Sequence, residues 1–105
     1  MRFTSYLEDK RLTVALTGEI DHHCAKSYIH AINAKIEGYT PDTCILDFSD
    51  VTFVDSSGIA VVINALRSMT QIEGKLVLCG ILPQPMRVFR ASGIDKLVAI
   101  KEAVS

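Results

Sequence analysis

The segment best suited to chemistry is a pair of serines behind an aspartate, Asp55-Ser56-Ser57-Gly58. The apolar periodicity that follows predicts a helix starting near Ser56. Aspartate and serine are common N-cap residues, because their side-chain oxygens accept hydrogen bonds from the first N–H groups of a helix. Helix capping, with Gly58 allowing close packing, is therefore the simplest interpretation of this segment.

The same segment also suits a regulatory phosphorylation. A serine hydroxyl at a helix start is expected to be exposed, and a phosphate there adds roughly 1.5 to 2 negative charges and three acceptor oxygens. The helix dipole favours that charge, whereas the carboxylates of Asp55 and Asp21 oppose it. Phosphorylation would then change a partner-facing surface without unfolding the domain.

The N-terminal half of the chain predicts a hairpin and a helix that position these residues. Alternating apolar and polar residues indicate strands over 2–7 and 12–17, with Gly18 ending the second strand. Asp21 is the expected N-cap of a helix over 25–36, and Gly38 is the expected end of that helix.

The rest of the chain alternates apolar runs with helical patterns. A strand covered on both faces is predicted at 44–46, another buried strand at 76–79, and a last strand at 97–100. A polar loop, Ser49-Asp50, is expected to separate the first of these from residues 51–55. The helix that starts near Ser56 and ends before Gly74 has one predicted buried stripe: Ile59, Val62, Ile63, Leu66 and Met69. Pro83 and Pro85 are predicted to open a short helix that carries Met86 and Phe89 and ends at a C-cap, Gly93. A further helical turn is predicted for the last residues of the chain.

This order of elements predicts one α/β domain over residues 1–105. Its sheet is mostly parallel and mixed, with one antiparallel N-terminal edge strand and helices between the strands. The loops after residues 17, 48 and 81 should emerge at the carboxyl edge of the sheet, where open α/β sheets bind their ligands. Four residues are expected to share that end: Asp21, Asp55, Ser56 and Leu82.

Composition excludes several classes of protein. Eleven basic and twelve acidic residues leave a net charge of -1 without a basic stripe, so no nucleic-acid partner is expected. No apolar run reaches the roughly 18 residues that span a bilayer, and the N-terminus lacks the apolar block of a signal peptide. The cysteines Cys24, Cys44 and Cys79 form no CxxC pair, and the last two lie in apolar runs. We therefore expect a cytoplasmic protein without a membrane partner.

Two metal sites are conceivable from residue types alone. His22, His23, Cys24 and His30 are close in sequence, but adjacent histidines point to different helix faces and no ligand follows at the spacing of a helical zinc motif. A second set, Asp47, Asp50 and Asp55, could hold magnesium only if the chain brought its members together. Solvated helix-start and turn residues are the simpler interpretations, so we expect no metal and no cofactor.

A serine hydrolase is the remaining alternative, with Ser56 or Ser57 as nucleophile beside Asp55 and a distant His22. The sequence lacks the Gly-x-Ser-x-Gly turn of such enzymes. An aspartate adjacent to the serine in sequence also does not supply the general base that activates a hydroxyl. Enzyme activity is therefore not expected.

Three segments of the chain together resemble a known family. Residues 16–23 contain Leu-Thr-Gly-Glu-Ile-Asp-His-His, residues 53–58 contain Phe-Val-Asp-Ser-Ser-Gly, and residues 91–97 contain Ala-Ser-Gly-Ile-Asp-Lys-Leu. In this order they resemble the STAS-domain anti-sigma factor antagonists of bacteria, in particular the sporulation branch that acts on the inhibitor of the forespore sigma factor. The resemblance covers essentially the whole chain. Cys24 departs from the threonine often found at its position and is expected to lie under the helix.

The resemblance implies partner switching. In that family the unphosphorylated antagonist binds an anti-sigma factor, which is also a serine kinase with a histidine-kinase-like ATP-binding fold, and the sigma factor is released. The kinase then phosphorylates the first serine of the Asp-Ser-Ser-Gly run, and a metal-dependent serine phosphatase resets the protein. Carried over, the modified residue is Ser56 and not Ser57. The implied partner-binding residues are Gly18, Glu19, Asp21, His22, Asp55, Ser56, Ser57, Gly58, Ile81 and Leu82.

Other STAS domains leave an alternative open. Some stand-alone members bind an ABC-transporter ATPase involved in lipid transport. Others join stress-signalling assemblies, in which a threonine commonly occupies the modified position. The Asp-His-His run and the doubled serine favour the sporulation branch for this chain.

Overall fold

A five-stranded mixed sheet with helices between its parallel strands forms the framework of the protein. The computed structural model describes residues 2–102. In chain order the elements are β1 (Arg2–Glu8), β2 (Arg11–Ile20), α1 (Ala25–Tyr39), β3 (Thr43–Val54), α2 (Ser56–Gln71), β4 (Lys75–Cys79), α3 (Pro83–Ser92), α4 (Ile94–Leu97) and β5 (Ala99–Lys101). The predicted α/β fold class is confirmed.

The strands lie side by side in the order in which they occur in the chain, β1-β2-β3-β4-β5. β1 pairs with β2 antiparallel, and every later pair is parallel. The predicted antiparallel edge strand is therefore confirmed. Because right-handed crossovers between successive neighbours place every connection on the same side, this strand order puts all helices on one face of the sheet.

The burial pattern shows that the helices cover one face only. In β3, residues Cys44, Leu46 and Phe48 are buried in the core, whereas Ile45 and Asp47 between them are half-buried. β2 and β4 supply the same core face, and the facing helix residues complete a single hydrophobic cluster. The prediction that the strand at 44–46 is covered on both faces was wrong. β-branched residues such as Ile45 also occur on a half-buried face of a sheet, so the apolar run did not require cover on both sides.

β2 and β3 are longer than predicted. β3 runs without a break through Ser49 and Asp50, where a loop was predicted, and β2 runs past Gly18 to Ile20. The two strands stay paired through register shifts on either side of Gly18, whose φ angle is +90°. Irregularities of this kind let a strand bend and continue, so polar residues and a glycine did not end these strands.

α1 also continues past its predicted end. Gly38 lies inside the helix, and Thr40 takes the left-handed conformation while its N–H donates to the carbonyl oxygen of Ile36 at 2.8 Å. Pro41 follows at once, and a residue before proline is disfavoured in the α conformation. The stop signal is therefore Pro41, and the prediction of Gly38 as helix end was wrong.

The buried stripe of α2 is rotated from the predicted one. Val62 and Met69 are fully buried as predicted, but Val61 and Ala65 are buried as well. The predicted Ile59, Ile63 and Leu66 are partly buried and pack against the edge of the core. The helix contacts both the sheet and α1, so its apolar surface is wider than one stripe.

The C-terminal region combines a confirmed helix with one that was not predicted. Pro83 occupies the first turn of α3, and Gly93 ends it with φ +84° and hydrogen bonds to Phe89 and Arg90 carbonyl oxygens, as predicted. A single turn, α4, follows and displaces the last strand, so β5 begins at Ala99 and not at residue 97. The predicted terminal helical turn lies outside the described residues.

Burial of the cysteines agrees with their apolar settings. Cys44 and Cys79 are buried, and burial raises the pKa of the Cys44 thiol to about 12. Such a thiol stays protonated and acts as a small apolar side chain. Within residues 2–102, no helix is both long and apolar enough to span a membrane.

Candidate functional site

Three loops meet where the parallel strands end. This carboxyl edge comprises residues 18–24 at the end of β2, residues 53–58 between β3 and α2, and residues 80–84 between β4 and α3. Ile20 pairs with Val54, and the Asp55 N–H donates to the Ile20 carbonyl oxygen at 3.2 Å. Gln84 hydrogen-bonds both backbone groups of Val54 at 3.0 Å. The strand order thus brings the predicted site residues to one end, although the loops begin after residues 20, 54 and 79.

Ser56 is the first residue of α2 and is exposed at this edge. Asp55 has extended backbone angles and is the N-cap; its Oδ1 accepts a 2.7 Å hydrogen bond from the Ser57 N–H. The cap is therefore supplied by Asp55, which leaves the Ser56 hydroxyl on the surface. The aspartate therefore caps the helix, and the Ser56 side chain is exposed to solvent as expected.

Gly58 lies beneath the surface and not on it. The residue is buried, and a Cβ atom placed there would lie 2.8 Å from the Cβ of Val54. No side chain other than hydrogen fits at this distance without a shift of the strand or the helix. Gly58 therefore has the close-packing role that the sequence suggested, bringing the start of α2 onto the end of β3.

The loop after β2 is closed by Asp21. Its Oδ1 accepts hydrogen bonds from the N–H groups of His23 at 2.9 Å and Cys24 at 3.2 Å. Desolvation works against the charged form, but these hydrogen bonds prevail and lower the pKa of Asp21. α1 begins only at Ala25, so Asp21 caps a turn in front of the helix and is not the N-cap of the helix itself.

Around Asp21, the loop exposes Glu19 and His22 to solvent. His22 and His23 lie in the turn with their ring centroids 3.9 Å apart, so the expectation that they point to different helix faces was wrong. Cys24 is half-buried, and its Sγ donates to the Glu19 carbonyl oxygen at 3.3 Å. The thiol therefore helps to close the loop and does not simply lie under the helix.

The third loop adds an apolar component. Leu82 precedes α3 and is exposed, and Ile81 beside it is half-buried in a shallow groove of about 400 Å³ that Met86 and Ile100 also line. Phe53, at the end of β3, is exposed to a similar degree as Leu82, 38% for each. Exposed large apolar side chains next to polar ones are typical of protein-binding surfaces.

Sequence reasoning missed two residues of the carboxyl edge, Phe53 and Gln84. No role was predicted for Phe53, which appeared only as an apolar residue within the 53–58 motif. Gln84 was read only as a helix residue. Its position directly after Pro83 signalled a first-turn residue, but nothing in the sequence indicated that its side chain reaches Val54.

The competing constellations are not assembled. Within residues 2–102, no three histidine, cysteine, aspartate or glutamate side chains are grouped to hold a metal ion. Asp47 instead accepts hydrogen bonds from the backbone and hydroxyl of Ser49, and Asp50 is exposed. Asp55 binds the Ser57 N–H and thus stabilises a helix start; it does not orient an imidazole as a triad aspartate does.

Comparison with known proteins gives the same picture. Residues 5–105 match the STAS domain family. The chain is 31% identical over 83 residues to an anti-sigma F factor antagonist of Lysinibacillus sphaericus, covering 79% of this chain and 71% of that protein. It is 28% identical over 93 residues to an anti-sigma-B factor antagonist of Listeria monocytogenes, covering 86% and 78% respectively.

Solved structures extend the similarity to the whole fold. The structure of the anti-sigma factor antagonist SpoIIAA in its unphosphorylated form superposes with a TM-score of 0.85 at 26% identity, covering 99% of this chain and 90% of that chain. The Bacillus cell fate determinant SpoIIAA in the phosphorylated form superposes with a TM-score of 0.77 at 26% identity, covering 99% and 93%. The chain therefore belongs to the STAS-domain family and is similar to its anti-sigma factor antagonists over most of its length.

Proposed function

We propose that this protein is an anti-sigma factor antagonist whose carboxyl edge binds an anti-sigma factor with serine kinase activity, and that phosphorylation of Ser56 ends the binding. The observation that carries the proposal is the position of Ser56: exposed, first in α2, and between the loops that present His22 and Leu82. A modification at this point alters the surface that a partner contacts and leaves the core intact.

The chemistry of the edge explains how one phosphate acts as a switch. Before modification, Phe53 and Leu82 offer apolar contact area, and Asp55 already accepts hydrogen bonds from the Ser57 and Gly58 N–H groups at the helix start. A phosphate on Ser56 would add about two negative charges beside the carboxylates of Asp55 and Asp21. The helix dipole tolerates that charge within the free protein, but an apolar or acidic partner surface does not tolerate it in a close interface.

The similar proteins support this proposal through their names. Two relatives are antagonists of anti-sigma factors, and SpoIIAA has been solved both without and with its phosphate. The resemblance to the sporulation branch and the similarity to an anti-sigma F factor antagonist favour a released sigma factor that serves sporulation. A serine phosphatase returns the protein to its binding form. The protein acts in the cytoplasm as a binding module, without enzyme activity of its own and without contact to nucleic acid or membrane.

A kinase reaction tests the proposal directly. The protein is incubated with ATP and a purified anti-sigma serine kinase of the sporulation branch, and the phosphate is mapped by peptide mass spectrometry. We expect a single phosphate on Ser56, none in the Ser56→Ala variant, and an unchanged level in the Ser57→Ala variant. The Ser57→Ala control keeps the hydrogen bond to Asp55, because that bond uses the backbone N–H. A phosphate on Ser57 or on a distant residue would contradict the assigned switch.

A second candidate is a role in stress signalling, favoured by the similarity to the anti-sigma-B factor antagonist. The two roles differ in the partner, so binding separates them. Purified anti-sigma kinases of the sporulation and stress branches are titrated against the same unphosphorylated protein. Tighter binding of the sporulation kinase supports the first role, and tighter binding of the stress kinase supports the second. An ABC-transporter ATPase, the partner of other stand-alone STAS domains, is a useful third titrant.

A further inference from the structure

The end of β3 has a backbone partner on one side only. β3 pairs with β4 from Thr43 to Asp47, because β4 ends at Cys79 while β3 continues to Val54. Beyond Asp47 the β4 side of the strand has no neighbouring strand in residues 2–102. Val54 is fully buried, and a buried backbone N–H or carbonyl group without a hydrogen bond is costly.

The side chain of Gln84 supplies the missing pairing. Its Oε1 accepts from the Val54 N–H at 3.0 Å, and its Nε2 donates to the Val54 carbonyl oxygen at 3.0 Å. The amide thus bonds one residue as a neighbouring strand would. Only one orientation of a carboxamide satisfies a donor and an acceptor together. A carboxylate can only accept and an ammonium group can only donate, and asparagine carries the same amide on a side chain one methylene shorter.

This contact joins two loops of the carboxyl edge. Val54 precedes the N-cap Asp55 by one residue and the exposed Ser56 by two. Gln84 follows the exposed Leu82 by two residues, in the first turn of α3. The opposite side of the segment is fixed by the bond from Asp55 to Ile20. Gln84 is therefore a direct side-chain link between the segment that carries Ser56 and the segment that carries Leu82.

We propose that Gln84 is a positioning residue for the partner-binding surface: its amide clamps Val54 and holds Ser56 and Leu82 in one arrangement that the anti-sigma kinase recognises. The inference rests on the proposed function for the identity of the partner. A surface that is already ordered loses less conformational freedom on binding, so loosening the clamp weakens binding and phosphorylation even when the fold persists.

Two substitutions of Gln84 isolate the clamp. Gln84→Glu retains an acceptor for the Val54 N–H but places a carboxylate oxygen against the Val54 carbonyl. Gln84→Met removes both hydrogen bonds without adding charge. Gln71→Glu is the matched control, because it makes the same glutamine-to-glutamate change as Gln84→Glu, at an exposed residue at the end of α2. The wild type and the three variants are first compared by thermal unfolding. Exchange and phosphorylation rates are then measured at a temperature at which each protein is folded.

The first readout needs no partner. Amide hydrogen exchange followed by NMR should show the Val54 N–H exchanging about tenfold faster in Gln84→Met than in the wild type, with shifted resonances at Ser56 and Leu82. Gln84→Glu should shift the same resonances, and Gln71→Glu should leave them unchanged. Unchanged Val54 exchange and unchanged Ser56 and Leu82 resonances in both Gln84 variants would overturn the proposal.

The second readout uses the anti-sigma kinase. We expect kcat/KM for phosphorylation to fall about tenfold in both Gln84 variants and to remain at the wild-type value in Gln71→Glu. A purely structural role for Gln84 would lower the unfolding temperature and leave the rate of the folded protein unchanged, which would also overturn the proposal. Failure of the proposed function is distinguishable, because the wild-type protein itself would then not be phosphorylated.

Discussion

The two edges of the sheet are held together by different means. The amino edge comprises residues 8–11, 40–43 and 72–75, and backbone groups tie its turns to one another. The Asp42 N–H donates to the Lys10 carbonyl oxygen at 2.8 Å, and the Lys75 N–H donates to the Asp42 carbonyl oxygen at 2.9 Å. At the carboxyl edge a backbone bond from the Asp55 N–H to the Ile20 carbonyl oxygen is joined by side chains that hold the backbone: those of Asp21, Asp55 and Gln84.

The two edges also differ in the residue types that take left-handed backbone conformations. Left-handed residues at the amino edge are non-glycine: Asp9, Lys10, Thr40 and Glu73. The left-handed residues of the carboxyl edge are Gly18 and Gly80, where the chain turns without a side chain. Backbone pairing tolerates changes of side chain, whereas a surface held by three specific side chains is sensitive to them. We therefore expect substitutions at the carboxyl edge to change binding and substitutions at the amino edge to change stability alone.

The largest expected effect is that of a permanent charge at Ser56. Ser56→Asp should weaken binding of the anti-sigma kinase about a hundredfold, because the substitution places a permanent negative charge in a close interface. The unfolding temperature should change little, since the helix dipole favours an acidic residue in the first turn. Isothermal titration calorimetry and thermal unfolding measure the two quantities.

A matched charge at the amino edge sharpens this result. Thr40→Asp introduces the same charge at an exposed residue, and aspartate tolerates the left-handed conformation found there. We expect its affinity to equal that of the wild type. An equal loss of affinity in both variants would show that net charge alone, and not the carboxyl edge, governs binding.

The next largest effect concerns packing under Ser56. Gly58→Ala should lower the free energy of unfolding by about 1 to 3 kcal/mol, because the new methyl group meets the Cβ of Val54. Gly38→Ala is the control: it lies in α1 with no atom within 4 Å of the added Cβ, and should raise stability by about 0.5 to 1 kcal/mol. Urea unfolding compares them, and equal changes in the two variants would refute the contact with Val54.

A smaller effect is expected at the amino edge. Thr40 is a β-branched residue with φ +42°, a conformation that glycine adopts without strain. Thr40→Gly should therefore raise the free energy of unfolding by about 0.5 kcal/mol, the relief of strain being partly offset by the greater freedom of glycine in the unfolded chain. Binding to the kinase should not change. Thr70→Gly, inside α2, should instead lower stability, and a gain in both variants would contradict the strain argument.

Local side-chain chemistry accounts for what the sequence predicted well. The cap at Asp55, the start of α3 at Pro83 and its end at Gly93 each follow from the geometry of one or two residues, and each is confirmed. The mostly parallel sheet followed from the alternation of strands and helices. The convergence of three loops on one edge followed from the parallel arrangement, since parallel strands end on the same side.

Long-range pairing accounts for what the sequence did not predict. β3 passes through Ser49 and Asp50 because β2 stays paired with it across register shifts, and such a shift has no local signature. The bond between Gln84 and Val54 joins residues 30 apart.

The end of α1 was predicted wrongly for a local reason. Gly38 was expected to end the helix, whereas Pro41, three residues later, decides where α1 stops.

The smallest expected effect is a pH dependence located at Asp21. Hydrogen bonds from His23 and Cys24 lower the pKa of Asp21 in the folded protein, so its charge stabilises the fold above the ordinary pKa of an aspartate. That contribution is lost as the pH falls through the lowered value. Asp21→Asn keeps an acceptor oxygen for the two N–H groups but has no charge to lose. The wild type should therefore be more stable than Asp21→Asn at pH 6, and the difference should shrink as the pH falls below the ordinary pKa of an aspartate, as measured by urea unfolding over a series of pH values. A difference that is independent of pH would mean that the shape of the side chain, and not its charge, closes the loop after β2.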